Sequence, residues 1–119
     1  MASDKKMLMI AAEAALSSTE KIDNRENRLG AIGIRNDGVI VTSRNVSARN
    51  VSPTHHAETR LLRKLTPDSV VWVARVSKQS GSWALAKPCK KCQASLRNKG
   101  VKRIVYTIGP DEWGVMDLK

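Results

Sequence analysis

The chain of 119 residues contains no Phe, a single Tyr and three Trp. Its core must therefore rest on Val, Ile, Leu, Ala and Met, and any exposed Trp stands out as a contact for something else. Only two Cys occur, too few for the disulfide framework that staples small secreted domains. No apolar run approaches the roughly 20 residues that a membrane span needs. The opening stretch, Lys5 and Lys6 before an Ala-rich segment, imitates a signal peptide, but Glu13 falls inside its apolar part. The expectation is a cytoplasmic protein with no membrane partner. Acidic residues are also scarce: 11 Asp and Glu face 21 Lys and Arg, a net charge of +10. Such an excess favours anionic partners such as nucleotides or polynucleotides, with a merely basic surface as the competing explanation. Hydrophobic residues at 41% and charged residues at 27% match ordinary globular usage and speak against wholesale disorder.

Read for organisation, residues 1–119 fit one domain without internal repeat or linker. Asp4 to Ser18 holds Met7, Leu8, Ile10, Ala11, Ala14, Ala15 and Leu16 in a mostly helix-favouring background, behind Ser3 or Asp4 as N-cap. Leu29–Ile34 and Val39–Ser43 flank Asn36-Asp37-Gly38, which predicts an antiparallel hairpin. A polar loop leads to a helix at His56–Leu65, stopped by Thr66-Pro67-Asp68. Ser69–Val76 is the plainest strand. After a Gly/Ser-rich loop at Gln79–Ser82, Pro88 suits the first turn of a helix that ends at Gly100. Val101–Ile108, a turn at Gly109–Glu112 and a short strand at Trp113–Leu118 close the chain. This order predicts an α/β fold: a mixed sheet of about five strands flanked by three helices, with a right-handed parallel crossover between the third and fourth strands.

The chemistry-bearing residues gather in His56-Ala57-Glu58, in Pro88-Cys89-Lys90-Lys91-Cys92, and in Asn45 at the end of the second strand. Cysteines three apart at a helix start share a face and can reach one metal. The positive end of the helix favours the thiolates that a metal requires. A lone C-x-x-C also suits a redox pair or half of a structural zinc site. A structural site wants four protein ligands, whereas this chain offers two Cys beside His55 and His56. Three ligands with an open position is the catalytic arrangement. Glu58, two residues from His56, is poorly placed to join it as a ligand but can address a water at the metal.

His56-Ala57-Glu58, followed after 29 residues by Pro88-Cys89-x-x-Cys92, resembles the zinc-dependent cytidine deaminase superfamily, whose signature pairs H-x-E with P-C-x-x-C. The coarse element order over nearly the whole chain is similar to that superfamily's fold. The resemblance implies zinc held by His56, Cys89 and Cys92. It also implies Glu58 as proton shuttle, passing a proton from water to N3 of cytosine and then to the leaving amine. Asn45 looks like the Asn with which many members hold the sugar or base. Asn50–Glu58 is also similar to the Pro-Thr-x-His-Ala-Glu string of tRNA adenosine deaminases. His at 56, where most free-nucleoside deaminases carry Cys, leans toward the nucleotide and polynucleotide branches. The terminal strand–turn–strand leans toward the nucleoside enzymes and some bacterial toxin deaminases.

Three functional readings stay open. A free cytosine nucleoside or nucleotide is the first expectation. A cytosine or adenine in single-stranded DNA or RNA is the alternative, and a zinc-stabilised nucleic-acid-binding module without activity is the third. Candidate substrate contacts are Asn45, Ala57, Trp83 and Tyr106. Trp83, in the loop before the cysteines, either stacks on a base or packs over the sheet edge. Trp72 belongs to the core, while Tyr106 and Trp113 flank the last turn as core residues or as contacts for neighbouring nucleotides. Seven basic residues and no acid between Lys87 and Arg103 suit either phosphate contact or a solvated helix face. Self-association of the chain is a further open alternative.

Overall fold

A computed structural model of the chain describes residues 3–16, 27–44, 61–77, 82–88 and 90–118. Its elements are α1 (Asp4–Leu16), β1 (Asn27–Ile34), β2 (Ile40–Arg44), a 3-10 turn (Leu62–Lys64), β3 (Val70–Ser77), β4 (Trp83–Ala84), α2 (Lys90–Lys99), β5 (Arg103–Gly109) and β6 (Glu112–Asp117). The helix expected from His56 enters this description only at Leu61, which is helical and runs into the 3-10 turn. Its earlier part lies outside the described residues, as do most of the loops expected at 17–28, 44–54 and 79–82.

The described strands form one sheet in the order β2-β1-β3-β5-β6, with β4 added beside β3. β1 pairs antiparallel with β2 and β3, β3 runs parallel to β5, and β5 pairs antiparallel with β6. The β3–α2–β5 crossover is the one expected from the sequence. The β1–β2 hairpin closes where Gly38 takes φ +88, a conformation that costs Gly little. Its Asn36 is tied to the turn before β3 through Thr66 Oγ1, which donates to Asn36 Oδ1 at 3.1 Å.

Two apolar layers sandwich the sheet. On one face α1 lays Met7, Leu8, Ala11, Ala12 and Ala15 over Ile32, Trp72, Ala74, Val76 and Val105. On the other, Leu61, Leu65, Ala86, Leu96 and Val101 cover Leu29, Ala31, Val71, Val73 and Ile104. β1 lies between the two layers and admits both through glycines. A Cβ at Gly30 would overlap the Ala11 carbonyl of α1, and one at Gly33 would meet Leu65 Cδ2 at 2.7 Å. Trp72, 6% exposed, is core as expected, and its indole N–H donates to Asp4 Oδ1 at 3.0 Å.

The strand count differs from the expectation because the stretch before the cysteines is partly a strand. The β3–β5 ladder runs from Val70 to Val73, and beyond it β4 pairs Trp83 with Val76 and Ala84 with Arg75. Buried Thr107 bridges the divergence: its hydroxyl accepts from the Arg75 N–H at 3.1 Å and donates to the Ala84 carbonyl at 2.7 Å. Backbone groups that the parallel ladder leaves unmatched are thereby satisfied. The pairing is long-range, so no local propensity announces it.

Candidate active site

Parallel strands fed by a crossover helix open a crevice at their carboxyl ends, where ligands of α/β sheets bind. Here that end is formed by β3 and β5, and α2 begins above it. Gln93 Nε2 donates to the Pro88 carbonyl at 2.7 Å, tying the approach to the helix to its own first turn. Pro88 is buried. Cys92 lies in that first turn and is only 5% exposed. The helix ends at Gly100, φ +93, with the Gly100 N–H donating to Arg97 and the Val101 N–H to Leu96. This double closure satisfies carbonyls that the last turn would otherwise leave bare, and it returns the chain to β5.

Tyr106 follows the same face. It pairs with Val73 and Gly114 in the sheet and packs, half-buried, against the layer under α2. A Cβ at Gly114 would stand 2.8 Å from the Tyr106 hydroxyl, so the absent side chain makes room for the ring over β6. The same end of the sheet receives β2: Arg44 pairs with Gly30, which pairs with Ala74. Asn45 follows directly in the sequence. Asn45, His55, His56, Ala57, Glu58 and Cys89 all lie outside the described residues.

Trp83 is not brought to the face of α2. It packs on the α1 layer and meets Trp113 edge-on, ring centroids 6.4 Å apart and planes at 70°. Pairing with Val76 settles its side, since partners across a ladder point the same way. This is the packing role among the two readings of Trp83. Trp113, at 36% exposure, forms the outer wall of that pair.

Two residues at the crevice carried no motif. Arg75 alternates with Val71 and Val73, so it points toward the α2 side at the carboxyl end of β3. It is exposed, and among the described residues no acid pairs with it. Thr107 ties β3 to β4 at the β3–β5 divergence through its hydroxyl. An isolated Arg in an apolar run and a Thr in a strand give little signal in a sequence.

A buried thiol at a helix start, beside partially positive N–H groups, fits a cation that takes thiolate ligands. The described residues alone contain no group of three His, Cys, Asp or Glu side chains able to hold a metal ion, and two of the three expected ligands fall outside them. None of the described helices is long and apolar enough to cross a membrane.

The fold is shared with enzymes of known structure. Cytidine deaminase from Mycobacterium leprae superimposes with a TM-score of 0.66 at 21% identity, covering 99% of this chain and 95% of that one. Cytidine deaminase from Burkholderia pseudomallei gives 0.65 at 16%, covering 98% and 94%. Cytidine deaminase from Mycobacterium tuberculosis gives 0.58 at 19%, covering 92% and 90%. No curated protein sequence matches the chain. The family described as the cytidine and deoxycytidylate deaminase zinc-binding region matches residues 1–108. The chain belongs to that family and is a zinc-dependent hydrolytic deaminase.

Proposed function

We propose that the protein deaminates cytosine to uracil in a free nucleoside or nucleotide, using zinc held by His56, Cys89 and Cys92. The observation that carries this reading is the burial of Cys92 in the first turn of α2, above the carboxyl ends of β3 and β5. It is supported by the family match across residues 1–108 and by a fold shared with cytidine deaminases over nine-tenths or more of both chains. Zinc, when bound, acts as a Lewis acid that eases deprotonation of water. Glu58 takes the proton from the attacking water and delivers it to N3 of the ring. The hydroxide left behind adds at C4; Glu58 then takes the second proton from the new C4 hydroxyl and passes it to the 4-amino group, and ammonia leaves as the C4 carbonyl forms, so that cytosine and water become uracil and ammonia. Asn45, Ala57 and Tyr106 hold the substrate, and the layer beneath α2 shields the ring from bulk water.

The test is turnover by the zinc-loaded protein of cytidine, deoxycytidine, their monophosphates and a cytosine-bearing oligonucleotide, followed by ammonia release. Conversion of a free substrate is expected. Glu58→Ala should keep its zinc and lose about 100-fold to 10,000-fold in rate, the range that positioned proton transfer contributes. Full activity in that variant sinks the proton-transfer assignment. Turnover of the oligonucleotide alone would move the substrate to single-stranded nucleic acid.

A further inference from the structure

Among the described residues the buried polar side chains are Ser69 and Thr107. Ser69 acts locally: its hydroxyl donates to the Thr66 carbonyl at 2.5 Å and closes the turn before β3. Thr107 reaches much farther along the chain. Its hydroxyl accepts from the Arg75 N–H at 3.1 Å and donates to the Ala84 carbonyl at 2.7 Å, and its own carbonyl accepts from the Ala86 N–H at 2.9 Å. β4 has two ladder pairs, Arg75 with Ala84 and Val76 with Trp83, so the stretch that leaves it for α2 is held from β5. Exposed Leu85 and Lys87 alternate there with buried Ala86 and Pro88, the pattern of an extended segment with one face on the protein. At its far end Gln93 Nε2 donates to the Pro88 carbonyl at 2.7 Å. Cys89 follows directly in the sequence, and Cys92 lies buried in the first turn of α2.

We propose that Thr107 and Gln93 are positioning residues for the zinc site: from β5 and from α2 they hold residues 84–88 at two carbonyls and so set the place of the Pro88–Cys92 motif above the sheet. The role rests on the reading of Cys89 and Cys92 as zinc ligands. A metal is held best by thiolates already near their tetrahedral positions, because every ligand ordered on binding subtracts from affinity. An extended segment with a two-pair ladder does not supply that order by itself. One hydroxyl does, since a single oxygen accepts from one strand and donates to the next. Val at position 107 would fill the same space and leave the Arg75 N–H and the Ala84 carbonyl without that partner in a buried place. Core filling alone does not account for Thr here. Val105, two residues earlier on the same face of β5, is the apolar residue that the α1 layer takes where no such contact is made.

The test is a chelator-competed zinc titration of the full chain, with the visible bands of the cobalt(II)-loaded protein as a second readout of thiolate geometry. Thr107→Val should raise the zinc dissociation constant about tenfold, as loss of an outer-shell partner does, and weaken the cobalt–thiolate bands. Thr107→Ser keeps the hydroxyl and should bind zinc as the wild type does. Gln93→Leu should raise the constant about fivefold, the worth of one neutral hydrogen bond. Gly30→Ala strains the opposite face of the sheet; it should lower the melting temperature and leave zinc affinity unchanged. Each variant is titrated where circular dichroism shows it folded, and if Thr107→Val does not fold, Gln93→Leu decides. Equal losses in Thr107→Val and Gly30→Ala, or in Thr107→Val and Thr107→Ser, would reduce the effect to general destabilisation and overturn the role. Wild-type affinity in Thr107→Val and Gln93→Leu, beside lost zinc in Cys92→Ser, would overturn the positioning role alone. Full zinc in Cys92→Ser would overturn the ligand assignment and the positioning role with it.

Discussion

The two faces of the sheet are built to different ends. Beneath α1 the packing is close and uses small side chains: Ala11 and Ala15 lie against Gly30, and the Trp72 indole is anchored to Asp4. On the opposite face Cys92, Tyr106 and Arg75 gather at the carboxyl ends of β3 and β5, and a groove beside α2, lined by Leu62, Arg63, Ser95, Asn98 and Lys99, stays open. One face secures the sheet by excluding everything but protein. The other leaves polar and charged groups where a ligand can reach them. Substitutions on the two faces should therefore separate stability from chemistry.

The largest effect is expected from Cys92→Ser, which removes the thiolate proposed to bind zinc on the face of α2. Bound zinc and turnover should both be lost, and the melting temperature should no longer respond to chelator, because binding energy for a metal is also folding energy. Undiminished zinc by metal analysis would remove Cys92 from the site. Gly30→Ala acts on the other face. Its added Cβ must displace the backbone of α1, and overpacking of this kind costs about 1–3 kcal/mol. Urea denaturation should show the loss while turnover per folded molecule stays near wild type. A kinetic defect without a stability loss would break the division between the faces.

Trp83→Ala extends the same comparison to an aromatic that the sequence leaves between two roles. Losing a half-buried ring and its edge contact with Trp113 should cost about 2 kcal/mol, below the range for a fully buried Trp. Free cytidine should be turned over unchanged; a large rise in KM would return Trp83 to the substrate. The smallest effect is expected from Arg75→Ala. With Arg75 at the mouth of the crevice, KM should rise several-fold for cytidine monophosphate and not for cytidine. Equal kinetics on both substrates would make Arg75 a solvent-facing residue only.

Much of the architecture was legible because its signals are local. Asn36-Asp37-Gly38 marks its hairpin, Gly100 ends α2 with φ +93, and the run Val70–Val76 reads as a strand wherever it is placed. The metal and proton-transfer candidates were legible because their chemistry needs particular residue types at fixed spacing. β4 was not, since two residues carry no periodicity and its partners Arg75 and Val76 are distant in the chain. The side taken by Trp83 was not legible for the same reason: a side chain's face is set by ladder register, and a one-residue slip reverses it.

The sequence by itself determined most of the described elements, the mixed sheet with its parallel crossover and, through the His56-Ala57-Glu58 and Pro88–Cys92 motifs, the family. Tertiary structure alone decided which face each element serves. It set Trp83 against α1, Tyr106 over Gly114 and Arg75 at the carboxyl end of β3, and it brought Arg63 across a groove from Lys99. Propensities and motifs act within a few residues along the chain, whereas strand pairing and helix packing join residues by distance in space. The interactions that fix a face therefore arise only once those long-range contacts are made.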